Sequence, residues 1–220
     1  MSSILGKSLR PLLVAALLGS ASLSHGAVIT FDTLVSGATS FAYDGDGDAV
    51  TDVLFSTTDP FGFNTVGPGT NMSYIHEPGI EGTTGLAPDL KVNFFNGAIG
   101  SLGFGFAMST GSGGPPVSVT FSIYDALNHL LASITTSADF TDPPGPSTES
   151  SFPEGLVNLT FAGVASYATF DFDSTLASRY IIDDFTGTFG STERGVPEPA
   201  TLALLGIALA GLASSRRRQK

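Results

Sequence analysis

The sequence predicts an all-β fold, an antiparallel β-sandwich or jelly roll, with an N-terminal signal helix and a single C-terminal transmembrane helix. Three observations predict it. Between Ala27 and Gly190 apolar side chains recur at every second position, and no long helical periodicity competes with them. Breaker clusters such as GSGGPP (111–116) and DPPGPS (142–147) divide the alternating runs, and their prolines cannot donate to a sheet ladder. The charges are also segregated. The whole chain carries −11, whereas residues 27–196 hold three basic side chains against 19 acidic ones, a net of −16.

Residues 1–26 have the build of a secretory signal peptide. Lys7 and Arg10 give a positive start, Pro11 to Leu18 give a short apolar run, and Ser24 and Gly26 place small side chains before a cut at Ala27. The run is too short to cross a hydrocarbon core of about 30 Å. A single ectodomain, 27–190, follows. Its expected strands are 27–33, 52–57, 90–95, 102–108, 117–124, 129–136, 157–162, 165–172 and 179–189. In 117–124, Val117, Val119, Phe121 and Ile123 take one face, and Ser118, Thr120 and Ser122 the other. In 102–108, Leu102, Phe104, Phe106 and Met108 alternate with Gly103, Gly105 and Ala107, which predicts a packed inner face and a bare outer one. Residues 58–89 and 137–156 form Gly- and Pro-rich excursions, the first with a short strand near Met72–Ile75.

Residues 191–199 then make a linker ending in Pro197-Glu198-Pro199, and 200–220 a sorting helix with a basic tail. The uncharged stretch 200–213 would span about 21 Å as a helix at about 1.5 Å per residue. Snorkelling arginines and local bilayer thinning make up the remainder. Arg216, Arg217 and Arg218 would keep the C-terminus cytoplasmic and leave the ectodomain exported.

The ordered combination of Pro197-Glu198-Pro199, a short apolar helix and the Arg cluster resembles the PEP-CTERM sorting signal of Gram-negative bacteria. That resemblance implies recognition by exosortase, an inner-membrane-anchored precursor, and delivery to the cell surface or extracellular matrix, where such proteins accompany exopolysaccharide and biofilm. The strings Ile29-Thr30-Phe31-Asp32, 122–128 (SIYDALN) and Tyr180-Ile181-Ile182-Asp183-Asp184-Phe185 are similar to ectodomains that resemble jelly-roll carbohydrate-binding modules.

Composition excludes several activities. Without Cys there are no disulfides, thiolate metal sites or cysteine nucleophile, and the acidic balance argues against nucleic acid as a partner. Of the ectodomain histidines, His76 precedes Glu77 without completing an H-E-x-x-H pattern, and His129 sits in a hairpin-like turn. Neither a G-x-S-x-G elbow nor a P-loop occurs. The expected role is therefore non-catalytic, a surface or matrix protein binding polysaccharide. The alternatives are a carboxylate-dependent glycosidase or lyase, whose acid pair needs only spatial proximity, and a purely structural surface protein.

Two places favour Ca²⁺. Asp44, Asp46, Asp48 and Asp52 stand at relative positions 1, 3, 5 and 9 of a Gly-containing turn, a spacing that lets alternate carboxylates converge on an ion taking roughly six to eight oxygens. The spacing resembles the calcium loops of EF-hands, dockerins and thrombospondin type 3 repeats. It departs from the EF-hand in having Ala49 at position 6 and Phe55 at position 12. An acidic surface turn is the other reading. The second place is Asp183: if Ile181, Phe185 and Phe189 face the core, strand parity turns Asp183 inward and Asp184 outward. The resemblance to carbohydrate-binding modules pairs Asp183 with Asp32 around a structural calcium. For sugar stacking the candidates are Tyr43, Tyr74, Tyr124, Tyr167 and Tyr180, with Phe61 and Phe63 on the long loop.

Overall fold

A computed structural model describes residues 24–65, 72–76, 78–110, 116–138 and 152–190. The signal segment to residue 23, much of the second excursion and the whole tail from 191, including the PEP motif, lie outside the described residues. Among the described residues there is no α-helix. There are ten strands: β1 (Ser24–Ile29), β2 (Ser40–Tyr43), β3 (Val53–Ser56), β4 (Ile80–Thr83), β5 (Leu90–Met108), β6 (Val117–Tyr124), β7 (Leu130–Ala138), β8 (Glu154–Thr160), β9 (Ala165–Phe172) and β10 (Arg179–Gly190).

Every pairing is antiparallel. The fold is an antiparallel β-sandwich in which one strand serves both layers. The expected strands 90–95 and 102–108 are the two halves of β5, which bends at Gly97 and Gly100, both at φ near +80°. Its first half lies between β3 and β9, in a layer ordered β2-β3-β5-β9-β6-β7. Its second half lies between β8 and β10, and β1 and β4 share the far edge of β10.

Phenylalanines fill the space between the layers. Phe185 of β10 packs edge-on to Phe55 of β3 at 5.1 Å, and Phe104 of β5 edge-on to Phe121 of β6 at 5.1 Å. These rings are fully buried, each contributing about 1.5–3 kcal/mol by transfer from water.

Two details depart from the sequence reading. The outer face of the second half of β5 is not bare: Gly103, Gly105 and Ala107 are as buried as the residues between them. The 72–76 segment lies across that face, with Met72 and Ile75 packed on Ala107 and Ile181. Gly105 is required there, because a Cβ would run into the backbone of Tyr74. The segment is irregular rather than a strand. The second departure concerns parity in β10. A bulge between Asp183 and Thr186, with Asp184 at φ +48, separates two registers. Tyr180 and Ile182 face the main core before it, and Phe185 and Phe189 after it. Ile181 and Asp183 therefore share the outer face, and Asp183 is buried because the 72–76 segment covers it.

Candidate functional site

A hollow of about 430 Å³ opens on the same outer surface, beside the start of β10. Its floor is Glu81 of β4, which stands opposite Ile181 in the ladder and so on the same face as Arg179. On the other side β4 meets Asn64 through a two-way backbone bridge, Asn64 N–H to the Glu81 carbonyl and Glu81 N–H to that of Asn64. The wall is the 59–63 turn, closed by the Gly62 N–H donating to the Asp59 carbonyl at 3.0 Å and by the Phe61 N–H donating to the Asp59 carboxylate at 2.9 Å. Phe63 is buried and anchors this turn, while Phe61 at its tip is 85% exposed. Of the two loop aromatics picked out in the sequence, one holds the loop down and one stands on the rim.

The charges in this hollow are paired with each other. Glu81 is 1% exposed and ion-paired with Arg179, which is itself half-exposed. A guanidinium that reaches the surface and an exposed ring together suit a ligand carrying oxygen acceptors and an apolar face. Sequence reasoning missed Glu81 and Arg179. Neither lies in a motif, and their meeting depends on β4 pairing with β10.

The acidic turn gathers three of its four expected residues: Asp44, Asp46 and Asp48 each place a carboxylate oxygen within 4.8 Å of the others. They are also the scaffold of the turn. Asp44 accepts from the N–H of Gly47 and of Ala49, Asp46 from Asp48 N–H, and Asp48 from Val50 N–H. Asp52 is buried apart from them and accepts from Gly45 N–H and the Asn96 amide. For Asp44 desolvation acts upward, but the Ala49 and Gly47 N–H groups outweigh it and hold the carboxyl below its ordinary value. Desolvation, aided by the charges of Asp48 and Asp52, pushes Asp46 up.

Asp32 is exposed and accepts the Thr30 hydroxyl. It does not join the cluster around Asp183, which consists of His76, Asp183 and Asp184. The Asp183 carboxyl is pushed up to about 6, chiefly by burial. His129 caps the β6–β7 turn, its ring 3.0 Å from the Asp125 carboxylate and largely exposed. Tyr180 is buried against Phe172, whereas Tyr124 and Tyr167 stack on each other at 4.8 Å under Lys91.

No curated protein matches this chain. Solved structures similar to it include the K2 cleaved adhesin domain of Lys-gingipain, at 14% identity over 75% of this chain and 98% of that one, with TM-score 0.37. The CBM22-1 xylan-binding domain of Xyn10C from Paenibacillus barcinonensis is similar at 10% identity over 79% and 99%, with TM-score 0.37. The arabinose-bound α-L-arabinofuranosidase MgGH51 is similar at 12% identity over 76% of this chain but only 26% of that enzyme, with TM-score 0.40. Likenesses this distant assign no activity. One match concerns the tail: residues 195–218 fit the model described as the PEP-CTERM protein-sorting motif, and the chain is therefore a carrier of that sorting motif.

Proposed function

We propose that this protein is exported, processed by exosortase at its PEP-CTERM tail, and displayed at the cell surface or in the matrix, where its sandwich binds a polysaccharide without cleaving it. In this reading residues 1–26 are removed, 27–190 form the ectodomain, 191–199 the linker and 200–220 the membrane-inserted sorting helix of the precursor. The tail match supports the route. One observation carries the binding reading: the hollow sets the half-exposed guanidinium of Arg179, paired with the buried Glu81, beside the exposed ring of Phe61. A sugar ring suits that pair: its oxygens accept from Arg179, and its apolar face covers Phe61.

The test is a glycan array probed with the full-length chain in detergent, repeated with Arg179→Gln and Phe61→Ala. Retention on one polysaccharide class, weakened about tenfold or more by either change, is the expected result. An array that retains nothing would leave the structural role instead. Release of reducing sugar by the unaltered protein, lost in Glu81→Gln, would replace binding with hydrolysis. Calcium at Asp44, Asp46 and Asp48 belongs to the same proposal. Added Ca²⁺ should raise the melting temperature of chelator-treated protein, and Asp44→Asn should abolish the rise; equal midpoints would remove calcium from the account.

A further inference from the structure

Where the 72–76 segment crosses β10, an imidazole meets two carboxylates from consecutive residues. The Nδ1 of His76 lies 3.2 Å from Oδ2 of Asp184, and the His76 backbone N–H donates to Oδ2 of Asp183 at 2.7 Å. One ligand atom from each of the three side chains lies within 4.8 Å of the others. Neighbouring residues of a regular strand point to opposite faces. Here the bulge and the left-handed Asp184 bring both carboxylates to one imidazole.

The electrostatics are incomplete as they stand. Asp183 is 2% exposed and has a second carboxylate beside it. Among the described residues no Lys or Arg forms an ion pair with either; Arg179, the basic residue of the same strand, pairs with Glu81. The imidazole offsets the two charges only when protonated. Buried carboxylates in proteins are paired with a cation or coordinate a metal.

We propose that His76, Asp183 and Asp184 form a binding site for a divalent transition-metal ion of the zinc class, which clasps the 72–76 segment onto β10. The imidazole selects the class, since Ca²⁺ and Mg²⁺ take oxygen donors whereas Zn²⁺ and its neighbours take nitrogen and carboxylate together. Distances agree. With metal–ligand bonds of about 2.0–2.1 Å, two ligands of a tetrahedral centre stand about 3.3 Å apart, and the His76–Asp184 pair is at 3.2 Å. An ion entering there takes the place of the proton between these two groups. The backbone N–H of His76 fixes the orientation of the Asp183 carboxylate. Two carboxylates balance the charge of the dication, and the exposed side of His76 leaves room for water at the remaining position.

The full-length chain in detergent, stripped with chelator, is titrated with Zn²⁺ by calorimetry and with Co²⁺ by visible absorption. One equivalent should bind, with a tetrahedral cobalt spectrum, and excess Ca²⁺ should not displace it. His76→Ala and Asp184→Asn should each weaken zinc about tenfold or more, since even groups behind the ligands contribute that much. His129→Ala, in the β6–β7 turn, should bind zinc as the unaltered chain does. Both ligands changed are partly exposed, so the variants keep the fold, and matching melting curves without metal verify it. The proposal is overturned if the unaltered chain binds no zinc, if His76→Ala binds as tightly, or if Ca²⁺ competes on equal terms.

Discussion

Glu154 is the residue whose removal tests the architecture most directly. It begins β8, is fully buried, and its carboxylate accepts the N–H of Ser73 at 2.9 Å and of Tyr74 at 2.7 Å. Hydrogen bonds to a charged acceptor contribute about 1.5–3 kcal/mol each, so the two donors together hold the 72–76 segment by about 3–6 kcal/mol. Burial of Met72 and Ile75 contributes a similar amount, about 1.5–3 kcal/mol apiece. Glu154→Ala should therefore remove roughly half of the attachment while the main Phe core persists. At about 1.4 kcal/mol per tenfold, a loss of about 3 kcal/mol accelerates amide exchange at Ser73 and Tyr74 about a hundredfold, with β6 and β9 amides unchanged. Glu154→Gln retains one acceptor oxygen and should fall between. Hydrogen exchange by mass spectrometry or NMR reads all three chains. If Ser73 and Tyr74 in Glu154→Ala exchange within tenfold of the unaltered protein, the carboxylate is not what holds the segment. Uniform acceleration across the sandwich would also refute the reasoning, because it would mean that the segment and the core open together.

Other outcomes follow from the packing and the buried acids. Phe185→Ala should cost about 3–5 kcal/mol, read as a lower denaturant midpoint, because its ring joins Phe55 and Phe121 of one layer to Phe104 of the other. Gly105→Val should displace the 72–76 segment without unfolding the main core, visible as proteolytic cleavage at 72–76, because the new side chain occupies the place of the Tyr74 backbone. Asp89 supplies a pH dependence. Burial raises its carboxyl above the ordinary 3.8, against the pull of the Phe172 and Leu86 N–H groups, with Asp171 adding to the rise. The fold favours the neutral form, so this contribution is fully present below 3.8 and is lost as pH rises through the folded value. Asp89→Asn should therefore lose less stability than the unaltered chain between acid and neutral pH in chemical melts; parallel curves would disprove it.

The alternation in 117–124 is enough to place β6, because it buries one face along its whole length and the period states it directly, whereas in β9 the alternation holds only from Ala168 to Phe172. β2 and β4 were illegible. Each is four residues long, and β4 is Ile-Glu-Gly-Thr, with a buried charge and a glycine where a strand pattern wants apolar side chains. The bulge in β10 was illegible for a different reason: one extra residue inverts parity without changing composition, so Ile181 and Phe185 look alike in sequence and face opposite ways. The acidic turn was visible because its four acids are local. The cluster at His76 and the hollow at Glu81 were not, since each joins residues from β10 to residues far earlier in the chain. Only the register of β10 with its neighbours creates them.

The position of β10 has a mechanical consequence. The chain leaves that strand at Gly190 and continues into the sorting motif at 195–218, so any tether acting through the tail pulls on β10 itself. That strand is flanked by β5 on one side and by β1 and β4 on the other, all antiparallel to it. Tension along its axis loads both ladders in shear, many bonds at once, rather than peeling them one by one. The attachment point is thus among the best-supported strands of the sandwich, a suitable anchorage for a protein held at one end.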